Sequence, residues 1–291
     1  SIDVLNITRE MVQGILKGLD VKKAVGPDLV HNKLLRLSAE IIAEPLSNLF
    51  NRSLSEGVFP CVWKRANVTP IFKKGEKEKC TNYRPVSLLS CVGKVMEKCV
   101  QKHVFRYLLD NNLITAAQSG FIPGDSMVFQ LLAIYNDLCK SLDDKSTTQA
   151  IFFDISKAFD RVWHKGLLCK LSAIGIKDQM LKWFGNYLSS RTQSVIIKGS
   201  SSDYLPISAG VPQGSVLGPT LFLIYINDII RNIDSIIKLF ADDTSLYLSL
   251  NNVNQRTEIL NSDLEKITRW AAAWKVNFNP LKTELVTISC N

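Results

Sequence analysis

The sequence feature that most constrains the fold is a pair of adjacent carboxylates, Asp242 and Asp243, between two apolar runs. Residues 236–241 and 244–250 are rich in side chains typical of strands, so they predict a hairpin with the two aspartates at its turn. Aspartate at a turn is usually structural, because its side chain bonds its own backbone. The pattern therefore predicts an antiparallel pair of strands but does not by itself indicate catalysis.

A third carboxylate changes that interpretation. Asp154 ends the uncharged apolar run 151–153, and a carboxylate at the end of a buried strand is costly unless it meets a cation. Two strands that bring carboxylates to one edge of a sheet are suited to a pair of divalent ions, and oxygen ligands favour Mg²⁺. We therefore predict a two-metal site for phosphoryl transfer, with Asp154 and Asp242 as the main ligands and Asp243 as the supporting one.

The rest of the chain mixes helical and extended patterns. Helical spacing occurs over residues 9–19, 30–54, 92–109, 126–142, 159–171, 183–188, 217–231 and 253–274, and further strands are predicted at 67–72, 84–89, 150–153, 191–197 and 285–288. Pro45 is predicted to kink or divide the second helix. Because hairpins are separated by helices, the pattern predicts an α+β fold and not a regular βαβ alternation.

Charge and cysteine usage limit the class of protein. Residues 1–110 hold 18 Lys and Arg against 11 Asp and Glu, and seven of these basic residues lie between Lys64 and Arg84. This cluster is typical of a polyanionic partner, although a solvated lysine-rich loop explains it equally well on charge alone. Seven cysteines without CxxC spacing, no apolar run long enough to span a bilayer and no visible secretory signal predict a reduced, intracellular protein that is not secreted and binds no membrane.

Six short blocks then connect the chain to a known family. They are 82–89 (NYRPVSLL), 118–121 (QSGF), 153–160 (FDISKAFD), 210–219 (GVPQGSVLGP), 240–243 (FADD) and 279–283 (NPLKT). In content and order they resemble the reverse transcriptases of non-LTR retrotransposons of the jockey-like or LINE-like group. The blocks span nearly the whole chain, so the resemblance is specific.

The resemblance implies an enzyme, an RNA-directed DNA polymerase that transfers nucleotides to a primer 3′-hydroxyl. Asp154, Asp242 and Asp243 would be catalytic and would hold two Mg²⁺ ions, for which Mn²⁺ is a substitute. Lys282 matches a late lysine that protonates the leaving pyrophosphate. The implied partners are an RNA template, a DNA primer and deoxynucleoside triphosphates.

The resemblance also implies a set of substrate-binding residues. Lys73 and Arg84 flank a basic hairpin that folds over the triphosphate. Phe159 would lie under the incoming sugar, where an aromatic ring collides with a 2′-hydroxyl. Gln213 and Gly214 match the turn beside the nucleotide, where glycine lets backbone approach the template.

The architecture implied by the resemblance is the fingers and palm of a right-hand polymerase, with an antiparallel palm sheet packed on helices. Residues 1–149 would be mainly fingers with the first palm helices, and residues 150–291 mainly palm. The thumb and endonuclease of the parent polyprotein are expected to be missing from this chain. The expected place of action is the nucleus, with a cytoplasmic ribonucleoprotein as a further location.

Two other functions remain open from the sequence. One is a non-catalytic RNA-binding domain derived from such an enzyme, which would keep the basic hairpin and bind through phosphate and shape. The other is a different palm polymerase, such as an RNA-directed RNA polymerase or an intron maturase. Phe159 argues against the use of ribonucleotides and therefore against this second alternative.

Overall fold

The computed structural model describes Ile2 and residues 5–290. The chain divides into two compact units, each formed by two segments of the chain. Unit 1 comprises Ser1–Leu113 and His164–Leu221, and unit 2 comprises Ile114–Trp163 and Phe222–Asn291. The assignment of residues 1–149 to fingers and 150–291 to palm is a functional one, and it stays a prediction.

Groups of helices and groups of strands follow one another along the chain. The helices are α1 (Arg9–Lys17), α2 (Asn32–Leu37), α3 (Ala39–Glu56), α4 (Cys91–Asp110), α5 (Met127–Asp143), α6 (His164–Ala173), α7 (Asp178–Leu188), α8 (Leu217–Ile226) and α9 (Val253–Trp274). The strands are β1 (Arg65–Phe72), β2 (Tyr83–Leu88), β3 (Thr148–Asp154), β4 (Arg191–Ile197), β5 (Ser200–Ser201), β6 (Leu205–Ile207), β7 (Ile236–Phe240), β8 (Asp243–Ser249) and β9 (Glu284–Ile288). The prediction of a mixed fold of helices and strands is confirmed.

The sheet of unit 1 has the order β2-β1-β4-β5, and β6 also pairs with β4. Strands β1 and β2 form an antiparallel hairpin that ends at the pair Phe72 and Tyr83, whereas β1 and β4 run parallel. Aromatic side chains from two parts of the chain pack in the core of this unit, with Phe59 in edge contact with Trp63, Trp183 and Tyr187. Their burial removes large apolar surfaces from water and stabilises the unit.

The sheet of unit 2 has the order β7-β8-β3-β9, and every neighbouring pair in it is antiparallel. Alternate side chains of its strands point into one core together with residues of α9. The members of this core are Ile151, Phe153, Ile229, Ile237, Leu239, Leu246, Leu260 and Ile267. Because side chains alternate along a strand, burying this set fixes the register of the strands and hence the position of their ends.

Several predicted helices have different bounds in the structure, and in two of them a local bond or turn explains the difference. The helix predicted over 30–54 is divided at Ser38, whose amide and hydroxyl both donate to the carbonyl of Leu34, and not at Pro45, which lies inside α3. The helix predicted from Phe159 begins only at His164, because Lys157 has a left-handed φ of 51° and starts a turn. The short strands β5 and β6 have no counterpart among the predicted elements.

None of the helices in the described part of the chain is both long and apolar enough to cross a membrane.

Candidate active site

Strand β3 carries Asp154 to the end of the unit 2 sheet. It lies between β8 and β9 and pairs with both, so its backbone is held on two sides. The register places Asp154 directly opposite Asp243 of β8, and the Asp154 side chain is 14% exposed. Asp154, which was predicted to end a buried strand, therefore lies beside a second carboxylate, that of Asp243.

Asp242 lies in the two-residue turn between β7 and β8. The last pair of this hairpin joins Phe240 to Asp243, which leaves Ala241 and Asp242 as the turn. The amide of Ile155, the residue after β3, donates to the carbonyl oxygen of Asp242 at 3.3 Å. The predicted hairpin is present, but its turn lies one residue earlier than predicted, because Asp243 pairs with Phe240 as the first residue of β8. The turn is tied to the end of β3.

The three aspartates repel one another where they meet. Burial raises the pKa of Asp242, and the charges of Asp243 and Asp154 raise it further. Burial also raises the pKa of Asp243, with Asp154 as the next cause. Like charges at close quarters disfavour the ionised form, so this end of the sheet gains stability from a positive charge.

Lys282 supplies such a charge through the turn formed by residues 279–283. The backbone amide of Asn279 donates to the carbonyl of Asp154 at 2.9 Å, and the Asn279 side chain accepts from the amide of Leu281 at 3.1 Å. This turn brings Lys282 Nζ to 2.6 Å from Asp154 Oδ2. The hydrogen bond to Asp154 raises the pKa of Lys282, so the lysine stays protonated at neutral pH.

The chemistry of this donor set fits a hard divalent cation. All three predicted ligands are carboxylates, the charge of Asp154 raises the pKa of both Asp242 and Asp243, and Asp154 already binds an ammonium group. Within residues 5–290 and Ile2, no group of three or more His, Cys, Asp and Glu side chains is arranged so that it could hold a metal ion. The three carboxylates fit Mg²⁺ in charge and atom type only, and Lys282 is the cation that the structure shows on Asp154.

Phe159 belongs to an aromatic cluster in unit 2. Its ring stacks on Phe222 with centroids 5.0 Å apart and meets the edge of Phe121 at 6.1 Å. The side chain is half-buried and lies in the turn before α6, not on a helix. These contacts hold the ring in place, and its selection of the sugar stays a prediction.

The remaining predicted residues lie in unit 1. The amide of Ser87 in β2 donates to the carbonyl of Gln213 at 2.7 Å, so the turn around Gln213 packs on that strand. Gly214 has a φ of +122°, and a Cβ there would lie 2.4 Å from the Ser87 carbonyl oxygen, so only glycine fits. Lys73 and Arg84 are exposed at the end of the β1–β2 hairpin.

The nine predicted residues thus form two sets. Asp154, Asp242, Asp243, Lys282 and Phe159 belong to unit 2, and the first four are linked by contacts or by electrostatic interaction. The other set, in unit 1, comprises Lys73, Arg84, Gln213 and Gly214.

Glu97 supports the turn around Gln213, a role that was not predicted from the sequence. It is 1% exposed in α4, and its Oε2 accepts from the amides of Val216 at 2.6 Å and Leu217 at 3.3 Å. Burial raises the pKa of Glu97, against the opposing effect of Arg191 and these amides. A glutamate in a helical pattern is normally solvent-exposed, so no local signal marks this one as buried.

Comparison with known proteins identifies the class to which this fold and site belong. The family described as "Reverse transcriptase (RNA-dependent DNA polymerase)" matches residues 71–290, and the chain belongs to this family. Reverse transcriptases as a family use divalent metal ions, in agreement with the chemistry of the three carboxylates. The prediction of a reverse transcriptase domain from the six sequence blocks is confirmed.

Three individual relatives show which kind of reverse transcriptase the chain is similar to. The RNA-directed DNA polymerase from mobile element jockey of Drosophila melanogaster is 33% identical over 298 residues, which cover 99% of this chain and 32% of the relative. The polymerase of the same name from Drosophila funebris is 32% identical over 97% of this chain and 32% of its own length. The "Probable RNA-directed DNA polymerase from transposon BS" of Drosophila melanogaster has the same identity and coverage. The chain therefore resembles non-LTR retrotransposon polymerases and spans about a third of the length of these curated relatives.

Proposed function

We propose that this chain is the catalytic core of an RNA-directed DNA polymerase from a non-LTR retrotransposon. It adds deoxynucleotides to the 3′-hydroxyl of a DNA primer on an RNA template. The observation that supports this most is that Asp154 lies opposite Asp243 and interacts with Asp242 of the β7–β8 turn at one end of the unit 2 sheet, with Lys282 bonded to Asp154. The rest of the parent polyprotein would supply further modules, and the place of action would be the nucleus or a cytoplasmic ribonucleoprotein.

In this proposal the aspartates hold the metal ions. Asp154, Asp242 and Asp243 would bind two Mg²⁺ ions, or Mn²⁺ in their place, and the bound ions would supply the positive charge that phosphoryl transfer requires. Lys282 keeps its proton at Nζ because Asp154 raises its pKa. Lys282 therefore carries a proton at neutral pH, and it would give that proton to the leaving pyrophosphate in the role that the resemblance implies.

The other predicted residues would recognise the nucleotide and the nucleic acid. Arg84 is suited to a bidentate contact with phosphate oxygens, and Lys73 to a point-charge contact. Phe159, held by its aromatic neighbours, would exclude a 2′-hydroxyl, and Gln213 with Gly214 would contact the sugar, base or template. In the polymerase description, residues 1–149 are mainly fingers and residues 150–291 mainly palm.

A second candidate function has one observation in its favour. The exposed basic residues between Arg65 and Arg84 are suited to RNA phosphates regardless of chemistry at the aspartates, whereas Lys64 is buried. A non-catalytic RNA-binding domain would keep this surface, and its affinity would fall steeply with salt.

Primer extension separates the two functions. We expect the wild type to extend oligo(dT) on poly(rA) with dTTP and Mg²⁺, because the carboxylates are intact. Asp242→Asn removes one negative charge with little change of shape and should lower the rate by at least about a hundredfold. Asp143→Asn, at an exposed aspartate of α5, is the matched control and should retain full activity. If the wild type binds RNA in a salt-sensitive way but extends no primer, the proposed polymerase function is wrong and the RNA-binding function takes its place.

A further inference from the structure

Gln118 is a buried residue that contacts the turn carrying Asp242. It is 5% exposed, and its Oε1 accepts hydrogen bonds from the amide of Ala241 at 3.0 Å and of Gly120 at 2.8 Å. Ala241 directly precedes Asp242 in the turn. One side-chain oxygen thus joins the 118–120 segment to the backbone of the candidate active site.

The backbone around Gln118 is also fixed against β7. The amide of Leu239 donates to Ala117 at 2.8 Å, and the amide of Ser119 donates to Leu239 at 3.0 Å. A Cβ on Gly120 would lie 2.2 Å from the Ala241 nitrogen, so this position has room only for glycine. The segment is therefore packed directly on the turn.

The turn itself is held in an uncommon conformation. Ala241 has a φ of +56°, in the left-handed region that glycine adopts freely and alanine adopts at a cost. Such conformations persist where the surrounding structure holds them. Its amide is bonded to the buried Gln118 oxygen, so that bond stabilises the backbone immediately before Asp242.

The choice of glutamine at position 118 is not explained by the stability of its side-chain amide group alone. Gln118 Nε2 is buried and has no hydrogen-bond partner among the described residues. A buried donor without a partner is unfavourable, whereas the oxygen of the same side chain binds two backbone amides. The hydrogen bonds of the Gln118 side chain are therefore made by its acceptor, Oε1, which binds the turn that contains Asp242.

We propose that Gln118 is a positioning residue of the polymerase site. It acts through Ala241, holds the left-handed turn and thereby fixes where Asp242 presents its carboxylate. Gly120 permits the contact because it leaves room for the Ala241 nitrogen. The kinetic part of this inference rests on the proposed polymerase function, and the structural part does not.

Amide hydrogen exchange tests the structural part without requiring activity. Gln118→Met keeps the length of the side chain but removes the acceptor, so the Ala241 amide should exchange about tenfold faster or more. Gln118→Glu keeps the acceptor, so the Ala241 amide of this variant should exchange at the wild-type rate. Gln130→Met is the matched control, because Gln130 is a 7% exposed glutamine of α5 in the same unit. Unchanged exchange at Ala241 in Gln118→Met would overturn the proposal.

Single-nucleotide incorporation tests the kinetic part. Gln118→Met should lower kcat about tenfold and leave the KM for dTTP within about twofold, since the turn does not contact nucleotide through Gln118. Gln130→Met should leave both unchanged, and an equal loss in both variants would refute positioning. If Gln118→Met does not fold, Gln118→Asn, whose carbonyl is one methylene too short, should give the same changes. If the wild type incorporates no nucleotide, the proposed function fails while the exchange result still decides the role of Gln118.

Discussion

The ionised form of Asp242 is disfavoured in the metal-free protein. The side chain is half-buried, and its pKa is raised by burial first and then by Asp243 and Asp154. Lys282 lowers it in part, although its direct bond is to Asp154. A group that destabilises the metal-free fold when ionised indicates a role in binding or chemistry.

Replacing Asp242 by asparagine should therefore stabilise the metal-free protein at neutral pH. A folded-state pKa above the unfolded one means that stability is full below the unfolded pKa and is lost as pH rises through the folded pKa. Asp242→Asn escapes this loss, so its Tm at pH 7 in EDTA should exceed that of the wild type by about 2 °C. The difference should disappear below about pH 4, where the wild-type carboxyl is neutral. Thermal unfolding from pH 3.5 to 8 measures it, and a difference independent of pH would contradict the explanation.

At the scale of elements, α9 anchors the start of the β7–β8 hairpin. Asp263 of α9 is 0% exposed and accepts from the amides of Asp234 at 3.1 Å and Ser235 at 2.8 Å. Lys266 Nζ also donates to Asp263, at 2.9 Å. Although burial opposes it, these hydrogen bonds lower the pKa of Asp263, so the ionised form stabilises the fold.

Loss of this anchor should destabilise the protein. Asp263→Ala leaves two backbone amides without an acceptor in a buried place and should lower the free energy of unfolding by about 3 kcal/mol. Glu265→Ala, at an exposed position of the same helix, should change it by less than about 0.5 kcal/mol. Urea unfolding compares the two variants, and equal effects would show that Asp263 does not anchor the hairpin.

Elements with a regular pattern could be predicted from the sequence. The apolar, strand-type residues of 236–241 and 244–250 predicted the hairpin, and the uncharged apolar run before Asp154 predicted β3. Helix ends were less predictable, because they depend on single local bonds. The division at Ser38 results from its bonds to Leu34, and the turn before α6 from the left-handed Lys157.

The supporting contacts of the site could not be predicted in the same way. Gln118 and Ala241 are 123 residues apart, and Glu97 and Val216 are 119 residues apart. Each pair joins one polar side chain to a distant backbone amide, and such a contact leaves no periodic signal in the chain. The resemblance identified the block around Gln118 but did not show what its side chain contacts.

At the scale of the whole molecule, two features of different units support the proposed function. Unit 2 brings together three distant parts of the chain, namely the end of β3, the β7–β8 turn and the 279–283 turn. Unit 1 carries the exposed basic hairpin and the Gln213 turn. The central claim is that the first of these features is one cation site and not a set of independent surface carboxylates.

Binding of Mn²⁺, followed by electron paramagnetic resonance, tests this claim most directly. The account predicts that the wild type binds Mn²⁺, that Mg²⁺ competes for the site, and that Asp143→Asn binds as well as the wild type. It also predicts that Asp242→Asn binds at least about tenfold more weakly, because one of the shared ligands is lost. Equal Mn²⁺ affinity in the wild type and in Asp242→Asn would contradict the account.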